Sequence, residues 1–260
     1  MAKPFIKWAG GKRKLIPSIL SILPKSFNSY HEPMLGGGAL FFELAPERAF
    51  LNDYNEDLIN TYTVVRDNPD SLIKCMRKME NSEEEYLRIR SSSPRSPINK
   101  AARFIYLNKL SFNGLYRVNA SGNFNVPYCK VDTRSPLDEL AIREASLTLQ
   151  GASLSSVDYL EALTKVQEDD LVFIDPPYDD TFSNYTSNGF NKANHLALKE
   201  AFDYLTDLGA YAIVCNSDTP FVRGLYKNYP KVNISDRFVI SAKGSSRSPK
   251  ETFFITNFEF

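Results

Sequence analysis

Residues 171–180 read LVFIDPPYDD. Leu171 to Ile174 form a continuous apolar run, which predicts a strand buried in a core. The chain then meets an aspartate, two prolines and a tyrosine. Pro176 and Pro177 cannot continue a ladder and Asp175 favours a turn, so the strand has to stop there. Termination accounts for the prolines. It does not account for an acid and an aromatic held on either side of a stiff dipeptide, at the carboxyl end of a strand, where open α/β sheets bind ligands.

The rest of the chain fits that sheet. Strand patterns at Ser29–Glu32, Ala49–Leu51, Ala152–Leu154 and Tyr211–Cys215 alternate with helical patterns such as Asp57–Val65 and Asn194–Leu205, the signature of an α/β fold. Two β-rich runs near the end, VNISDRFVIS and ETFFITNF, flank the basic turn AKGSSRSPK and predict a terminal antiparallel hairpin. Between about residues 56 and 145 helical segments dominate and no core strand is legible, which predicts an insertion between the second and third strands. A chain of 260 residues accommodates one large domain with such an insertion.

Cys75, Cys129 and Cys215 are scattered and odd in number, which suggests neither a disulfide framework nor a zinc site and suits a reducing cytoplasm. With His31 and His195 as the two histidines there is little material for a metal site or a Ser-His-Asp triad. No secretory leader and no transmembrane stretch is legible, so neither export nor membrane insertion is expected. The net charge is zero, yet the eight basic residues between Tyr86 and Val131 (among them Arg95, Lys100 and Arg117) are accompanied by no acid. The first 31 residues carry six more, again without an acid, and Arg237–Lys250 adds four. Such a divided charge distribution points to nucleic acid.

Three glycines, Gly36, Gly37 and Gly38, follow the first strand and precede an apolar helix, so backbone can approach a ligand there. Asp53, at the end of the next strand, is placed to accept hydrogen bonds from ribose hydroxyls, and glycine loop plus acid suggests an adenosine-containing cofactor. The exocyclic amine of a nucleobase is conjugated with its ring, so its attack on an electrophilic methyl group needs acceptors for its N–H groups. Asp175 and the Pro176 carbonyl offer them, and Tyr178 offers a face for a base taken out of the duplex.

KWAGGK (Lys7–Lys12), EPMLGGGALF (Glu32–Phe41), NDYN (Asn52–Asn55), FNGLYRVN (Phe112–Asn119), GNFNVPY (Gly122–Tyr128) and DPPY (Asp175–Tyr178) occur in that order. Over essentially its whole length the chain thereby resembles the Dam-type adenine-specific DNA methyltransferases. One departure is Met34, where the family usually has phenylalanine, which predicts a softer cofactor wall. The resemblance implies a Rossmann-like methyltransferase domain of residues 1–55 and 146–260, an inserted, mainly helical target-recognition domain at 56–145, and S-adenosylmethionine as methyl donor. It implies a cofactor shell of Trp8, Lys12, Gly36, Gly37, Gly38, Asp53, Asp158 and Asp175, with Asp53 on the ribose and Asp158 on the adenine amine. It implies a catalytic segment of Asp175, Pro176, Pro177 and Tyr178. Lys7, Phe112, Asn113, Arg117 and Pro127 are implied as the set that reads double-stranded DNA, with GATC as the target, and no metal is implied. Two alternatives stay open. One is the same fold acting on cytosine N4 or RNA, against which the aspartate of DPPY and FNGLYR argue. The other is a DNA-binding protein with a decayed site, against which stands that no chemical position is substituted.

Overall fold

The computed structural model describes residues 2–119, 121–130, 135–179, 190–234 and 252–260. Its strands are β1 (Tyr30–Glu32), β2 (Ala49–Asn52), β3 (Ala152–Ser155), β4 (Leu171–Ile174), β5 (Tyr211–Ser217), β6 (Lys231–Ile234) and β7 (Thr252–Thr256). They form a seven-stranded sheet in the order β3-β2-β1-β4-β5-β7-β6. The first five positions follow the Rossmann order 3-2-1-4-5. β7 then enters antiparallel to both β5 and β6, Cys215 opposite Phe254 and Val232 opposite Phe254. The expected terminal hairpin therefore has its two strands paired, with its basic turn outside the described residues. Strand β5 runs two residues past the apolar pattern because Asn216 and Ser217 still pair with β7. The fold is mixed α/β and Rossmann-like.

The helices are α1 (Ile16–Leu20), α2 (Ala39–Leu44), α3 (Glu56–Asp67), α4 (Pro69–Met76), α5 (Glu83–Ser91), α6 (Pro97–Leu110), α7 (Glu139–Leu149), α8 (Tyr159–Leu163), α9 (Lys192–Asp207) and α10 (Pro220–Leu225). Their starts follow local chemistry. Asn55, Ser82, Ser96 and Thr219 each accept a hydrogen bond from a backbone N–H of the first turn, and Asn191 and Asn194 form a reciprocal capping box on α9.

The chain divides into two compact units, Met1–Arg13 with Leu35–Asp158, and Lys14–Met34 with Tyr159–Phe260. In the first, α3 packs against α6 and α7, and Tyr86, Tyr106, Leu107, Leu110, Phe124 and Val126 make a satellite core. In the second, β4 lies between β1 and β5, every one of its four side chains is buried, and Ile174, Leu198, Phe202, Val214 and Ile255 share one core. Met34 packs against this apolar cluster. The strand order reverses across the parallel pair β1–β4, where a buried His31–Asp170 contact of 2.8 Å joins the two strands. Asp170 also accepts the Ser29 and Gln167 N–H groups, so both strands start from one fixed carboxylate. Among the described residues no helix is long and apolar enough to cross a membrane.

Candidate active site

In the first unit the glycine loop closes over Trp8. Gly36 and Gly38 adopt left-handed conformations, φ 49° and 60°. A Cβ on Gly36 would lie 2.6 Å from Trp8 Cδ1, and one on Gly37 3.2 Å from Trp8 Cβ. The glycines thus make room for the indole as well as for the turn. Asp53 ties the loop to β2: its Oδ2 accepts the Gly36 N–H at 2.8 Å and its Oδ1 the Asn55 N–H at 3.0 Å. Burial pushes the Asp53 carboxyl above its ordinary range, while the N–H groups of Asn55 and Gly36 pull it back. Lys12 is buried, with Nζ donating to the Gly10 carbonyl at 2.7 Å. Asp158 stands exposed just before α8, in a turn bolted to β2 through Asn52. The Asn52 side chain accepts the Val157 N–H and donates to the Val157 carbonyl, both at 3.0 Å. Of the expected cofactor shell, Trp8, Gly36, Gly37 and Asp53 are thus in direct contact or one bond apart. Asn52 and Tyr62, whose hydroxyl donates to the Gly36 carbonyl at 3.1 Å, are supports that sequence reasoning missed. A polar residue at a strand's last position was the available signal for Asn52.

The same unit gathers the expected reading set. FNGLYRVN and GNFNVPY fold back on each other through bridges Ser111–Tyr128 and Val118–Phe124. Phe112, about half exposed at 53%, donates its N–H to the Pro127 carbonyl at 2.9 Å. Asn113 is left-handed at φ 57° and exposed. Asn108, buried on α6, accepts the Lys7 N–H at 2.9 Å and donates to the Lys7 and Gly114 carbonyls, which brings Lys7 to this turn. Arg117 is exposed; its Nε donates to Asn125 Oδ1 at 2.8 Å, and its terminal nitrogens have no partner among the described residues.

The acid-free basic run is only partly available. Arg88, Lys109 and Lys130 pair with Glu85, Asp138 and Glu83, acids that lie outside the run in sequence but beside it in space. Arg90 and Arg103 donate to backbone carbonyls. Arg95 and Lys100 form no ion pair among the described residues, and Lys100 and Arg103 line a cavity of about 160 Å³ together with Ser92 and Ser93. The basic stretch Arg237–Lys250 lies outside the described residues.

In the second unit Asp175 to Tyr178 leave the end of β4 as irregular chain, with Pro176 buried. Burial raises the Tyr178 hydroxyl far above its ordinary range, helped by the Asp175 charge and by Cys215; Thr252 and Asp175 are the side chains that bear on that hydroxyl. Tyr30 is raised in the same way, first by burial and then by Glu32, which accepts its hydroxyl proton at 2.9 Å. Cys215 and Asp175 also act on Tyr30, so the Asp175 charge bears on both tyrosines. Glu32 and Tyr30 were not singled out from the sequence. Among the described residues no group of acids, histidines and cysteines could hold a metal ion.

The model of the D12 class of N6 adenine-specific DNA methyltransferases matches residues 8–240. A type II methyltransferase of Lactococcus lactis subsp. cremoris is 38% identical over 98% of this chain and 95% of its own length. The retron Ec67 DNA adenine methylase of Escherichia coli is 32% identical over 96% of this chain and 90% of its own. A DNA adenine methylase of Vibrio cholerae is 30% identical over 95% and 92%. Six motifs in order, the Rossmann-like sheet and a family match over nearly the whole chain lead to one conclusion: this chain belongs to the D12 class N6 adenine-specific DNA methyltransferases.

Proposed function

We propose that the chain transfers a methyl group from S-adenosylmethionine to N6 of an adenine flipped out of double-stranded DNA, at the sequence GATC. Residues 1–55 and 146–260 carry the chemistry in this reading, and residues 56–145 read the DNA. The observation that carries it is that the DPPY segment leaves the carboxyl end of β4, the strand at which the sheet order reverses.

The residues present fit such a cofactor. Each Asp53 oxygen accepts a single backbone N–H, so the half-buried carboxylate keeps acceptor capacity for a sugar diol. Trp8, on the glycine loop, offers a flat apolar wall, and Lys12 and Asp158 would complete the shell. When bound, S-adenosylmethionine supplies an electrophilic methyl group on a sulfonium centre. Asp175 and the Pro176 carbonyl accept the N–H groups of the target amine, and this matters most as the nitrogen gains positive character. Pro177 stiffens the segment, and Tyr178 stacks on the flipped base. Phe112, exposed on a pinned turn, is suited to fill the space the base leaves, with Lys7, Asn113, Arg117 and Pro127 around it. The test is methylation of methyl-free DNA with labelled donor, followed by nucleoside analysis and mapping of the modified sites. N6-methyladenine confined to GATC is expected; N4-methylcytosine would overturn the substrate, and another sequence the target. Asp175→Ala should lower turnover by about two to three powers of ten while S-adenosylmethionine still binds.

A further inference from the structure

Asn216 is buried at the end of β5, 1% exposed, a position where an unpaired amide would be costly. Its Oδ1 accepts the Ser217 N–H at 2.9 Å and the Asp179 N–H at 3.1 Å, and Asp179 is the residue that follows DPPY. Backbone N–H groups only donate, so the amide oxygen must face them and the amide nitrogen must face the other way. On that side Nδ2 meets His195 Nδ1 at 3.5 Å, the long limit of a hydrogen bond. Because an amide nitrogen also only donates, His195 Nδ1 must carry a lone pair, and the imidazole proton belongs on Nε2. His195 Nε2 is buried and has no hydrogen-bond partner among the described residues; Phe190 and Phe221 stand edge-on to the ring, at centroid distances of 4.7 and 6.0 Å.

We propose that Asn216 is a positioning residue for the catalytic DPPY segment and that His195, neutral and protonated on Nε2, sets the way the Asn216 amide faces. The inference rests on DPPY being the catalytic segment. The segment is then fixed at both ends. Ile174 pairs with Val214 before it, and Asp179 is held by Asn216 after it. A second link closes the same corner, where Thr219 Oγ1 donates to Asp179 Oδ2 at 2.8 Å while capping α10. The geometry of Asp175 is thus imposed on both sides of it by β5 and the turn that follows β5. Burial lowers the His195 pKa, opposed by the Asp179 charge, and the nearby cation Lys192 lies over the Phe221 ring. A protonated ring would turn an N–H toward the Asn216 amide and push it away from Asp179.

Two substitutions of His195 separate this role from simple packing. His195→Asn keeps an acceptor near the Nδ1 position and loses the ring, whereas His195→Phe keeps the ring and loses the acceptor. The experiment measures kcat and the KM for S-adenosylmethionine and for DNA, with thermal unfolding, for these variants, Asn216→Ala and Asp175→Ala. His195→Phe and Asn216→Ala are expected to lower kcat by roughly tenfold to a hundredfold, the scale of an ångström-level misplacement. Both KM values should change little, and His195→Asn should recover most of the loss. Wild-type kcat in His195→Phe, or a larger loss in His195→Asn than in His195→Phe, would overturn the inference; if Asn216→Ala does not fold, the histidine pair decides alone. Turnover retained by Asp175→Ala would instead overturn the catalytic reading, and this inference with it.

Discussion

Gly36 shows what one residue settles. Its φ of 49° is a conformation that side chains rarely adopt, and an added Cβ would stand 2.6 Å from Trp8 Cδ1. Gly36→Ala is expected to cost about 1 to 3 kcal/mol of stability and to displace the indole. Trp8 is the sole tryptophan, so its fluorescence, followed through urea unfolding, reads both effects. The glycine triplet was legible as a loop built for close approach, but its nearest occupant was not, because Trp8 lies 28 positions away in sequence. Arg117 was legible by type and surroundings. Its Nε is held by Asn125 and its fork is otherwise open among the described residues, so Arg117→Ala should lose about 1 to 3 kcal/mol of discrimination at one base pair. Sequencing the methylated sites of a DNA library would show this as relaxed methylation at one position, and unchanged sites would remove Arg117 from the reading head.

Elements were more legible than their pairings. Every strand pattern read from the sequence meets a strand, VNISDRFVIS over its described residues 232–234, and α3 extends past its apolar pattern at both ends because Asn55 caps its start and Asn68, whose N–H donates to the Val64 carbonyl, closes it. Asn55→Ala is expected to destabilise by about 1 kcal/mol, measured by denaturant titration. A larger loss would mean that the Asn55 N–H bond to Asp53 also fails and that the glycine loop loosens with it. The fold-back of FNGLYRVN onto GNFNVPY was not legible. It rests on isolated bridges and on Asn119 accepting the Ser121 and Asn123 N–H groups, which leave no two-residue periodicity to read.

For the whole molecule, charge and protons give two measurable outcomes. DNA affinity should fall with salt despite zero net charge, with a slope of roughly 0.9 in the log-log plot per phosphate neutralised, and Lys100→Ala should lower that slope by about 1 if it neutralises one. A flat salt response would reject a charged DNA face. Because the His195 pKa lies below its ordinary 6.5 in the folded chain, the unfolded chain takes the proton first as pH falls. Its contribution to stability is therefore complete above that value and is lost below it. Denaturant unfolding of wild type and His195→Asn at pH values on both sides should show the wild type losing more on acidification; parallel profiles would contradict the assignment. The sequence alone determined the alternation of strands and helices, the run of helices between β2 and β3 and the order of the motifs, since periodicity, breakers and turn residues act over a few neighbouring positions. Only the tertiary structure decided which basic residues remain free of acids, that Trp8 fills the glycine loop, and that Asn216 holds Asp179. Those facts depend on groups distant in the chain meeting inside a packed core, where each buried polar atom must find a partner.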